Sequence, residues 1–285
     1  KNACIQTKGM IPHKWLSFDS VTLQSERERL SNSLLDYIFY VDHFFQNLSM
    51  ISESCFNSIS YLGPLRSPPA RFYLLSELDT KTVGNSGEYM PQLLFRHKQD
   101  MLSRLNRWFK QFEIPYSIDL NLDSGNQVSG ELLSIVLTDL RTNVMVAPSD
   151  VGFGIGQFLP ILVEGGIAKN GLICVEQPEI HLHPRLQAEV ADFLIESAGL
   201  NESGAQADYN NQWVIETHSE SLILRLQKRI RQKQISSEDI SVLYVLHGDQ
   251  ETGSQVQQLR LDENGDFIDD WPSGFFEERY HEVFD

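Results

Sequence analysis

The sequence has little cysteine, an excess of acidic over basic residues, and no long apolar run. Three cysteines lie far apart among 285 residues (Cys4, Cys55 and Cys174), which excludes a disulfide framework and a CxxC metal knuckle. We therefore expect a reducing compartment, the cytoplasm. Lys and Arg number 23 against 39 Asp and Glu, and the net charge of −16 argues against a surface that wraps nucleic acid by charge alone. No apolar run reaches about 18 residues, so we expect no membrane partner.

The start of the chain also lacks two features. It begins at Lys1 instead of Met, and no signal-peptide pattern follows. We therefore expect that upstream sequence is missing. Apolar residues make up 41% of the chain, which is typical of a globular protein with a sizeable core.

The first part of the chain is predicted to be helical, and the middle part mixed. Residues 23–59 carry apolar side chains at three- and four-residue steps without Pro or Gly. A strand at 60–64, a Pro-rich loop and a mobile loop at 79–88 precede a helix at 91–112. Two strands at 116–122 and 132–140 then flank a Gly- and Ser-rich turn, which predicts a hairpin.

The second half alternates apolar strands with helices, which is typical of a parallel sheet covered on both faces. The predicted elements are a helix at 155–167, a strand at 171–175, a helix at 184–197, a strand at 213–216, a helix at 219–231, a strand at 240–246 and a strand at 254–261. We divide the chain into a helical segment (1–59), an α/β lobe (60–247) and a C-terminal extension (248–285) with an aromatic tail. We expect the tail to pack on the sheet.

The segment LICVEQPEIHLHP, residues 172–184, carries the strongest chemical signal. Its apolar strand ends at Glu176, and ligands of open α/β sheets bind at the carboxyl ends of strands. A carboxylate there can hold Mg²⁺, which prefers a few hard oxygen ligands together with substrate phosphates. The alternative is a strand-end acid that faces water.

Two flanking motifs favour the first interpretation. The segment SDVGFGIGQ (149–157) opens a helix, and its glycines let backbone N–H groups approach an anion closely. The segment VIETHS (214–219) is an apolar strand that ends at Thr217 and His218, and a histidine there can donate to a phosphate oxygen. Alone, each is also explained as a common turn or a structural histidine.

The order of these three motifs resembles the C-terminal lobe of ABC-type ATPases of the SMC, RecF and OLD kind. The chain is more closely similar to a bacterial group of AAA-like ABC ATPases with a C-terminal domain of unknown function. That resemblance covers about three quarters of the chain, from YLGPLRSPPARFY (61–73) through DVGFGIGQFLP and VEQPEIHLHPR to WPSGFFEE (271–278). It implies the C-terminal lobe of a P-loop NTPase head, with ATP and Mg²⁺ as cofactors.

The resemblance also implies roles for individual residues. The signature motif, which contacts a partner's nucleotide, corresponds to a group of four residues (Ser149, Gly152, Gly154 and Gln157) in a loose register. Glu176 corresponds to the Mg²⁺-coordinating Walker B acid, and His218 to the switch histidine. The D-loop corresponds to the HLHP tetrad (His181, Leu182, His183 and Pro184), in which His183 is a cofactor-binding candidate.

Two departures from the family pattern affect the expected activity. No GxxxxGK[ST] phosphate loop occurs in these 285 residues, so we expect ATPase activity in the full-length protein and an inactive chain on its own. The usual catalytic Glu after the Walker B acid is Gln177 here, and an amide can orient water but cannot take a proton at neutral pH. Glu179 is the nearest substitute base, and a D-loop contact is its other interpretation.

Three weaker signals have alternative interpretations. The histidines of the HxH pair, with Glu179 and His218, suggest a Zn²⁺ site. Arg66 and Arg71 fit a phosphate or dimer contact, or ion pairs with acids. Ten basic residues could form a DNA-facing surface, although solvated helix faces are the preferred interpretation (Arg225, Lys228, Arg229, Arg231 and Lys233; Arg96, Lys98, Arg104, Arg107 and Lys110).

The sequence therefore predicts ATP binding and hydrolysis between two heads of a homodimer or higher oligomer. We expect the ATP cycle to serve DNA- or effector-related work such as phage defence or DNA repair, with an effector nuclease and DNA as candidate partners. The alternative is a non-hydrolysing or very slow ATP-gated scaffold that recruits an effector, and Gln177 favours it.

Overall fold

The computed structural model describes most of the chain, and it divides the chain into two compact units. The described residues are 6–8, 11–14, 32–57, 59–75, 79–124, 131–200, 210–246, 248 and 253–270. The first unit is Lys1–Ile59 and the second is Ser60–Asp285. The aromatic tail, for which packing on the sheet was expected, lies outside the described residues.

The first unit contains a short hairpin and a long helix. Strands β1 (Gln6–Lys8) and β2 (Ile11–Lys14) pair antiparallel. Helix α1 (Asn32–Asn57) confirms the predicted helix over most of its length. The helix is continuous because no Pro or Gly interrupts this segment. Residues 23–31 of that prediction lie outside the described part of the chain.

An antiparallel sheet forms one layer of the second unit. Strands β5 (Tyr116–Ser124) and β6 (Glu131–Asp139) pair as the predicted hairpin, with Tyr116 opposite Asp139. Alternate side chains of both strands are buried, as expected of a sheet with one face on the core (Ile118, Leu120, Leu133, Ile135 and Leu137). Two short strands that the sequence did not predict add to β6: β4 (Tyr73–Leu74) and β7 (Met145–Val146).

The helix predicted at 91–112 is two helices. Helix α2 (Met90–Arg96) has Pro91 in its first turn, as predicted, and helix α3 (Lys98–Gln111) follows after His97. Because of the break, each of the two helices directs its own apolar side chains into the core. The buried residues are Leu93, Leu94, Met101, Leu105 and Trp108. The region 79–88 has no regular secondary structure, but Val83 within it is buried.

The central sheet of the second unit has the order β3–β8–β9. Its strands are β3 (Ile59–Leu62), β8 (Leu172–Glu176) and β9 (Gln212–Glu216). Strands β8 and β9 run parallel, and the register places Glu176 opposite Glu216. This pairing confirms an α/β fold with a parallel sheet, as predicted.

Three helices accompany this sheet. Helix α4 (Phe153–Ile167) precedes β8, helix α5 (Pro184–Ser197) follows it, and helix α6 (Glu220–Arg231) follows β9. Aromatic rings from α3, α4 and α5 form the centre of the core, with Trp108 and Phe193 edge to face at 4.9 Å between ring centroids. On the face of the sheet that carries Glu176, Tyr61 and Val214 are 43% and 56% exposed, so the predicted cover on both faces is incomplete there.

The strand predicted at 240–246 does not join the parallel sheet within the described residues. Strand β10 (Val242–Leu246) pairs antiparallel with β11 (Gln255–Leu259) in a separate two-stranded sheet. Leu243 and Val245 of β10 are exposed, and alternate exposure is typical of a strand with one covered face.

Candidate functional site

The site is built on the last residue of β8, Glu176. Because β8 and β9 are parallel neighbours, their carboxyl ends lie at the same edge of the sheet, and Glu216 ends β9 directly opposite. The Tyr61 hydroxyl, on the neighbouring strand β3, donates a hydrogen bond of 2.7 Å to Glu176 Oε1. Three oxygen-bearing side chains thus come together at this edge, and two of them, Tyr61 and Glu216, were missed from the sequence.

The turn after Glu176 is held in place by a buried arginine. Gln177 has a left-handed backbone, with φ of 44°, and its N–H donates to the Glu216 carbonyl at 2.8 Å. Arg66, which is 5% exposed, donates from Nη2 to the Glu176 carbonyl at 2.7 Å and to the Gln177 carbonyl at 3.3 Å. Burial lowers the pKa of Arg66 to about 10, so the guanidinium remains charged at neutral pH. Arg66 therefore contacts backbone carbonyls, a role that neither sequence interpretation of it included.

Glu179 is buried and hydrogen-bonded through both carboxylate oxygens. Its Oε1 accepts from the His218 N–H at 2.7 Å, and its Oε2 accepts from the Thr217 hydroxyl at 2.8 Å. The carboxylate thereby joins the turn after β8 to the turn after β9. This geometry gives Glu179 a structural contact with the turn after β9, and its roles as a base and as a D-loop contact stay predictions.

A second set of hydrogen bonds connects the same two turns. Ser219 begins helix α6 as its N-cap, accepting from the Leu222 N–H at 3.2 Å, and its hydroxyl donates to Gln187 Oε1 at 2.8 Å. Gln187 in turn donates to the Leu182 carbonyl at 3.0 Å. The His218 side chain is exposed at this edge. Its backbone is held by the hydrogen bond from its N–H to Glu179 and by the helix cap that begins at the next residue, Ser219.

The two histidines of the HxH pair have different surroundings. His183 is the N-cap of helix α5, and its Nδ1 accepts from the Arg185 N–H at 3.3 Å. His181 has a left-handed backbone, with φ of 62°. Among the described residues, no group of three or more His, Cys, Asp or Glu side chains is placed to hold a metal ion, so the zinc interpretation gains no support.

The signature-like turn lies at the start of helix α4. Ser149 is exposed in a 3₁₀ turn, Pro148–Asp150, and Gly152 is the N-cap of α4 with φ of 80°. A Cβ on Gly154 would lie 2.8 Å from the His181 carbonyl oxygen. The glycine is required there because the helix start packs directly on the backbone of the D-loop segment.

The loop that contains Arg66 also contacts this helix start. Gln157, which is 5% exposed, donates to the Arg66 carbonyl at 3.3 Å, and a Cβ on Gly156 would lie 2.7 Å from Pro69 Cγ. Arg71 forms an ion pair of 2.6 Å with Asp150, which agrees with the ion-pair interpretation of Arg71. One loop thus connects the signature-like turn with the end of β8.

The predicted site residues form one connected arrangement with two parts. Glu176, Gln177, Glu179 and His218 lie at the carboxyl ends of β8 and β9, while Gly154 and Gln157 contact the segments beside them. Ser149 and Gly152 lie on an exposed turn. The sequence missed Tyr61 and Glu216 as site residues, although Tyr61 opens the segment YLGPLRSPPARFY and VIETHS contains Glu216. It singled out Arg66, but not for contacts with backbone carbonyls.

The donor set at the sheet edge fits a magnesium ion. Glu176 and Glu216 provide carboxylate oxygens side by side, and Mg²⁺ is usually bound by one or two carboxylates together with waters and substrate phosphates. For ATP the fit is partial, because the exposed His218 and the start of helix α4 provide donors whereas the sequence has no phosphate loop.

Five of the ten residues of the predicted basic surface form ion pairs. On helix α6, Arg225 and Arg229 both bind the buried Asp192, and Arg229 Nε lies 2.6 Å from Asp192 Oδ1. Arg231 pairs with Asp266 at 2.7 Å. In the other group, Arg107 pairs with Glu196, Arg96 lies 3.5 Å from Asp79, and Arg104 donates to the Gly166 carbonyl. This pairing agrees with the preferred interpretation of ordinary helix faces.

None of the helices that the structure describes has the length and apolar character to cross a bilayer.

Comparison with known proteins gives two family matches. The model described as "AAA ATPase domain" matches residues 75–223, just over half of the chain. A second, described as "Protein of unknown function (DUF3696)", matches residues 235–285. No curated protein matches the chain.

Several solved structures are similar to the chain. The Smc head domain of Pyrococcus furiosus, bound to the C-terminal domain of ScpA, is 14% identical with a TM-score of 0.42, over 58% of this chain and 36% of that chain. An Smc head bound to the C-terminal winged-helix domain of ScpA is 13% identical with a TM-score of 0.42, over 62% and 47%. A structure reported for ATP-driven dimerisation and DNA-stimulated activation of SMC ATPases is 14% identical with a TM-score of 0.41, over 68% and 96%.

The chain spans less than half the length of the first two of these structures. The family matches confirm the predicted AAA-type ATPase domain followed by a C-terminal domain of unknown function. Because the first match covers more than half of the sequence, the chain belongs to the AAA ATPase domain family.

Proposed function

We propose that this chain is the C-terminal lobe of an ABC-type ATPase head, which hydrolyses ATP as a head-to-tail dimer. The observation that carries the proposal is the parallel pairing of β8 and β9, which brings Glu176 and His218 to one edge of the sheet. An acid and an imidazole at neighbouring strand ends suit a magnesium–triphosphate, since one can bind the cation and the other can donate to a phosphate oxygen.

The residues at this edge have distinct proposed roles. Glu176 holds Mg²⁺ directly or through water, and bound Mg²⁺ would neutralise the charge that develops on the phosphates. His218 donates a hydrogen bond to the γ-phosphate, from a backbone that Glu179 fixes. The Gln177 amide orients the attacking water, with its left-handed turn held by Arg66. His183, beside them, is a proposed nucleotide contact whose ring already caps helix α5.

The partner subunit would supply the signature-like turn. Ser149 and Gly152 are exposed, and the N-terminus of helix α4 that follows them offers backbone N–H groups and a favourable dipole to an anion. Gly154 and Gln157 would hold this turn in place through their contacts with His181 and Arg66. Since the 285 residues contain no phosphate loop, we propose that this loop comes from elsewhere in the full-length protein and that the chain alone is inactive.

A second candidate function is an ATP-gated scaffold that hydrolyses very slowly or not at all. Two observations favour it: the residue after Glu176 is an amide, and both oxygens of Glu179 already accept hydrogen bonds from protein groups. Neither side chain is then a free base for the attacking water. In this version, ATP binding alone would change the association of two heads and the recruitment of an effector such as a nuclease.

The test that separates the two is phosphate release by the full-length protein with ATP and Mg²⁺. We expect Glu176→Gln and His218→Ala each to lower the rate by about 100-fold or more, since both act on developing charge. Glu238→Gln, which changes an exposed acid in another part of the chain, should leave the rate unchanged. Equal background release by the wild type and both site variants would exclude hydrolysis and leave the scaffold.

We propose that the cycle drives DNA- or effector-related work such as phage defence or DNA repair. Support for this level of function comes from the resemblance of residues 61–73 and 271–278 to the bacterial group of ATPases. The proposed partners are a second copy of the chain, an effector nuclease and DNA.

A further inference from the structure

Tyr61 contacts the proposed metal acid from the strand next to it. Its hydroxyl lies 2.7 Å from Glu176 Oε1, although 115 positions separate the two residues in the sequence. The ring is 43% exposed, so the phenol reaches the sheet edge instead of filling the core. Nothing in the proposed mechanism yet uses this side chain.

Tyr61 is a hydrogen-bond donor to Glu176. The phenol O–H donates and the carboxylate Oε1 accepts, while Glu216 lies opposite Glu176 at the end of the neighbouring strand. The bond to Glu176 therefore has one direction, with the carboxylate as acceptor.

A fixed donor solves a problem that the strand register creates. Glu176 and Glu216 lie directly opposite at the ends of neighbouring strands, so their like charges would push the two flexible side chains apart. Arg66 already fixes the backbone of Glu176 through its carbonyl, and Tyr61 restrains the other end of the same residue. Restraint in advance lowers the conformational entropy lost when the carboxylate binds an ion.

We propose that Tyr61 is a positioning residue for a divalent cation at Glu176: it holds Oε1 and leaves Oε2 directed toward the ion. The proposal rests on the proposed function, since it deepens the magnesium site named there. It assigns Tyr61 to the metal site as a group that orients a ligand, as outer hydrogen-bond partners do in many metalloproteins.

The test is Mn²⁺ binding to the full-length protein, measured by the loss of the electron paramagnetic resonance signal of free Mn²⁺. Four proteins are compared: the wild type, Glu176→Gln, Tyr61→Phe and Tyr89→Phe. We expect Glu176→Gln to abolish the specific site and Tyr61→Phe to weaken it by about 10-fold, the lower end for such partners. Tyr89→Phe, which removes the same atom from a tyrosine outside the site, should bind as the wild type does.

The outcomes separate this inference from the function on which it rests. If the wild type binds Mn²⁺ through Glu176 while Tyr61→Phe binds equally or more tightly, the role of Tyr61 is refuted and the metal site stands. If the wild type and Glu176→Gln bind identically, both the metal site and the role of Tyr61 are refuted. Because Tyr61 is partly exposed and loses a single oxygen, matching thermal unfolding curves will show that Tyr61→Phe is folded.

Discussion

Two buried glutamates of the second unit accept hydrogen bonds from different donors. Glu179 is 8% exposed and receives two hydrogen bonds, from Thr217 and from the His218 backbone. Glu164, in the last turn of helix α4, is 4% exposed and accepts from the Val83 N–H at 2.7 Å. Burial raises the pKa of Glu164, because its charged form has lost more hydration than the backbone donor returns.

The raised pKa of Glu164 gives a stability prediction with a definite sign. Between the ordinary pKa of a glutamate and the raised value, the folded state binds more protons than the unfolded state, so stability falls as pH rises through that window. Glu164→Gln keeps an acceptor for Val83 and removes the charge. We expect its Tm to match the wild type near pH 4 and to exceed it by a few degrees at pH 8, since ~1 kcal/mol corresponds to about 2–4 °C in a domain of this size.

Calorimetry at a series of pH values checks this prediction, with Glu238→Gln as the matched control on the surface. The control should leave the pH dependence of Tm unchanged. A Glu164→Gln variant that is less stable than the wild type at pH 8 would show that the carboxylate is stabilised by partners stronger than Val83.

At the scale of elements, helix α4 forms against its intrinsic propensity. It contains Pro160 and four glycines, which are poor helix formers, and the sequence predicted its start two residues late for that reason. A Cβ on each of these glycines would lie within 3.0 Å of a neighbouring group (Gly154, Gly156, Gly165 and Gly166). Close packing on the surrounding segments therefore decides the structure of this helix, and propensity does not.

Gly154→Ala tests the packing of α4 on the D-loop segment. The added methyl group would lie 2.8 Å from the His181 carbonyl oxygen, and a backbone atom cannot rotate away as a side chain can. Overpacking costs about 1–3 kcal/mol, and the better helix propensity of alanine recovers at most about 1 kcal/mol, so we expect a net loss of about 1–2 kcal/mol. Urea unfolding measures this difference.

The control for this variant is Gly63→Ala. A Cβ at Gly63 would lie 3.5 Å from the Asn85 carbonyl oxygen, which is an ordinary contact, so its effect should stay within about 0.5 kcal/mol. Equal unfolding free energies for Gly154→Ala and the wild type would mean that the helix start and the D-loop move apart at little cost.

The sequence predicted the major helices and strands because their apolar periodicity is strong. It missed the two-residue strands β4 and β7, which are too short for any period, and the break at His97, which depends on packing. It also placed residues 240–246 in the parallel sheet, whereas β10 pairs with β11. Strand partners are long-range choices that a local pattern does not contain.

The candidate site divides in the same way. Glu176 ends an apolar strand and His218 follows another, so their positions at strand ends identified them. Gln177 was identified through the resemblance, as the residue after the Walker B acid. Tyr61 and Arg66 come from a strand and loop more than a hundred positions earlier, and only the neighbouring position of β3 in the sheet brings them to Glu176. Chemistry carried by consecutive residues is visible in a sequence, whereas contacts made across a sheet become visible in three dimensions.

At the scale of the whole molecule, the excess of acidic residues and the pairing of arginines limit DNA binding. The chain has 39 acidic and 23 basic residues, and the arginines of helix α6 are bound to acids of the same unit. Arg225 and Arg229 are further confined because their common partner, Asp192, is buried. Their positive charge is therefore compensated before any phosphate approaches.

This compensation predicts weak DNA binding with a shallow salt dependence for the chain. A protein that makes 6–10 phosphate contacts loses about 10³–10⁵ in affinity between 50 and 200 mM salt. With its described α6 arginines paired, we expect this chain to change far less, by about 10-fold or less, which corresponds to one or two contacts. Fluorescence anisotropy with a duplex at several salt concentrations measures the slope.

Asp266→Asn is the informative variant, because it releases the exposed Arg231 from its 2.7 Å ion pair and should steepen the slope by at most one contact. A steep slope in the wild type would show instead that residues outside the described part of the chain, or a rearrangement of these ion pairs, present a basic surface to DNA.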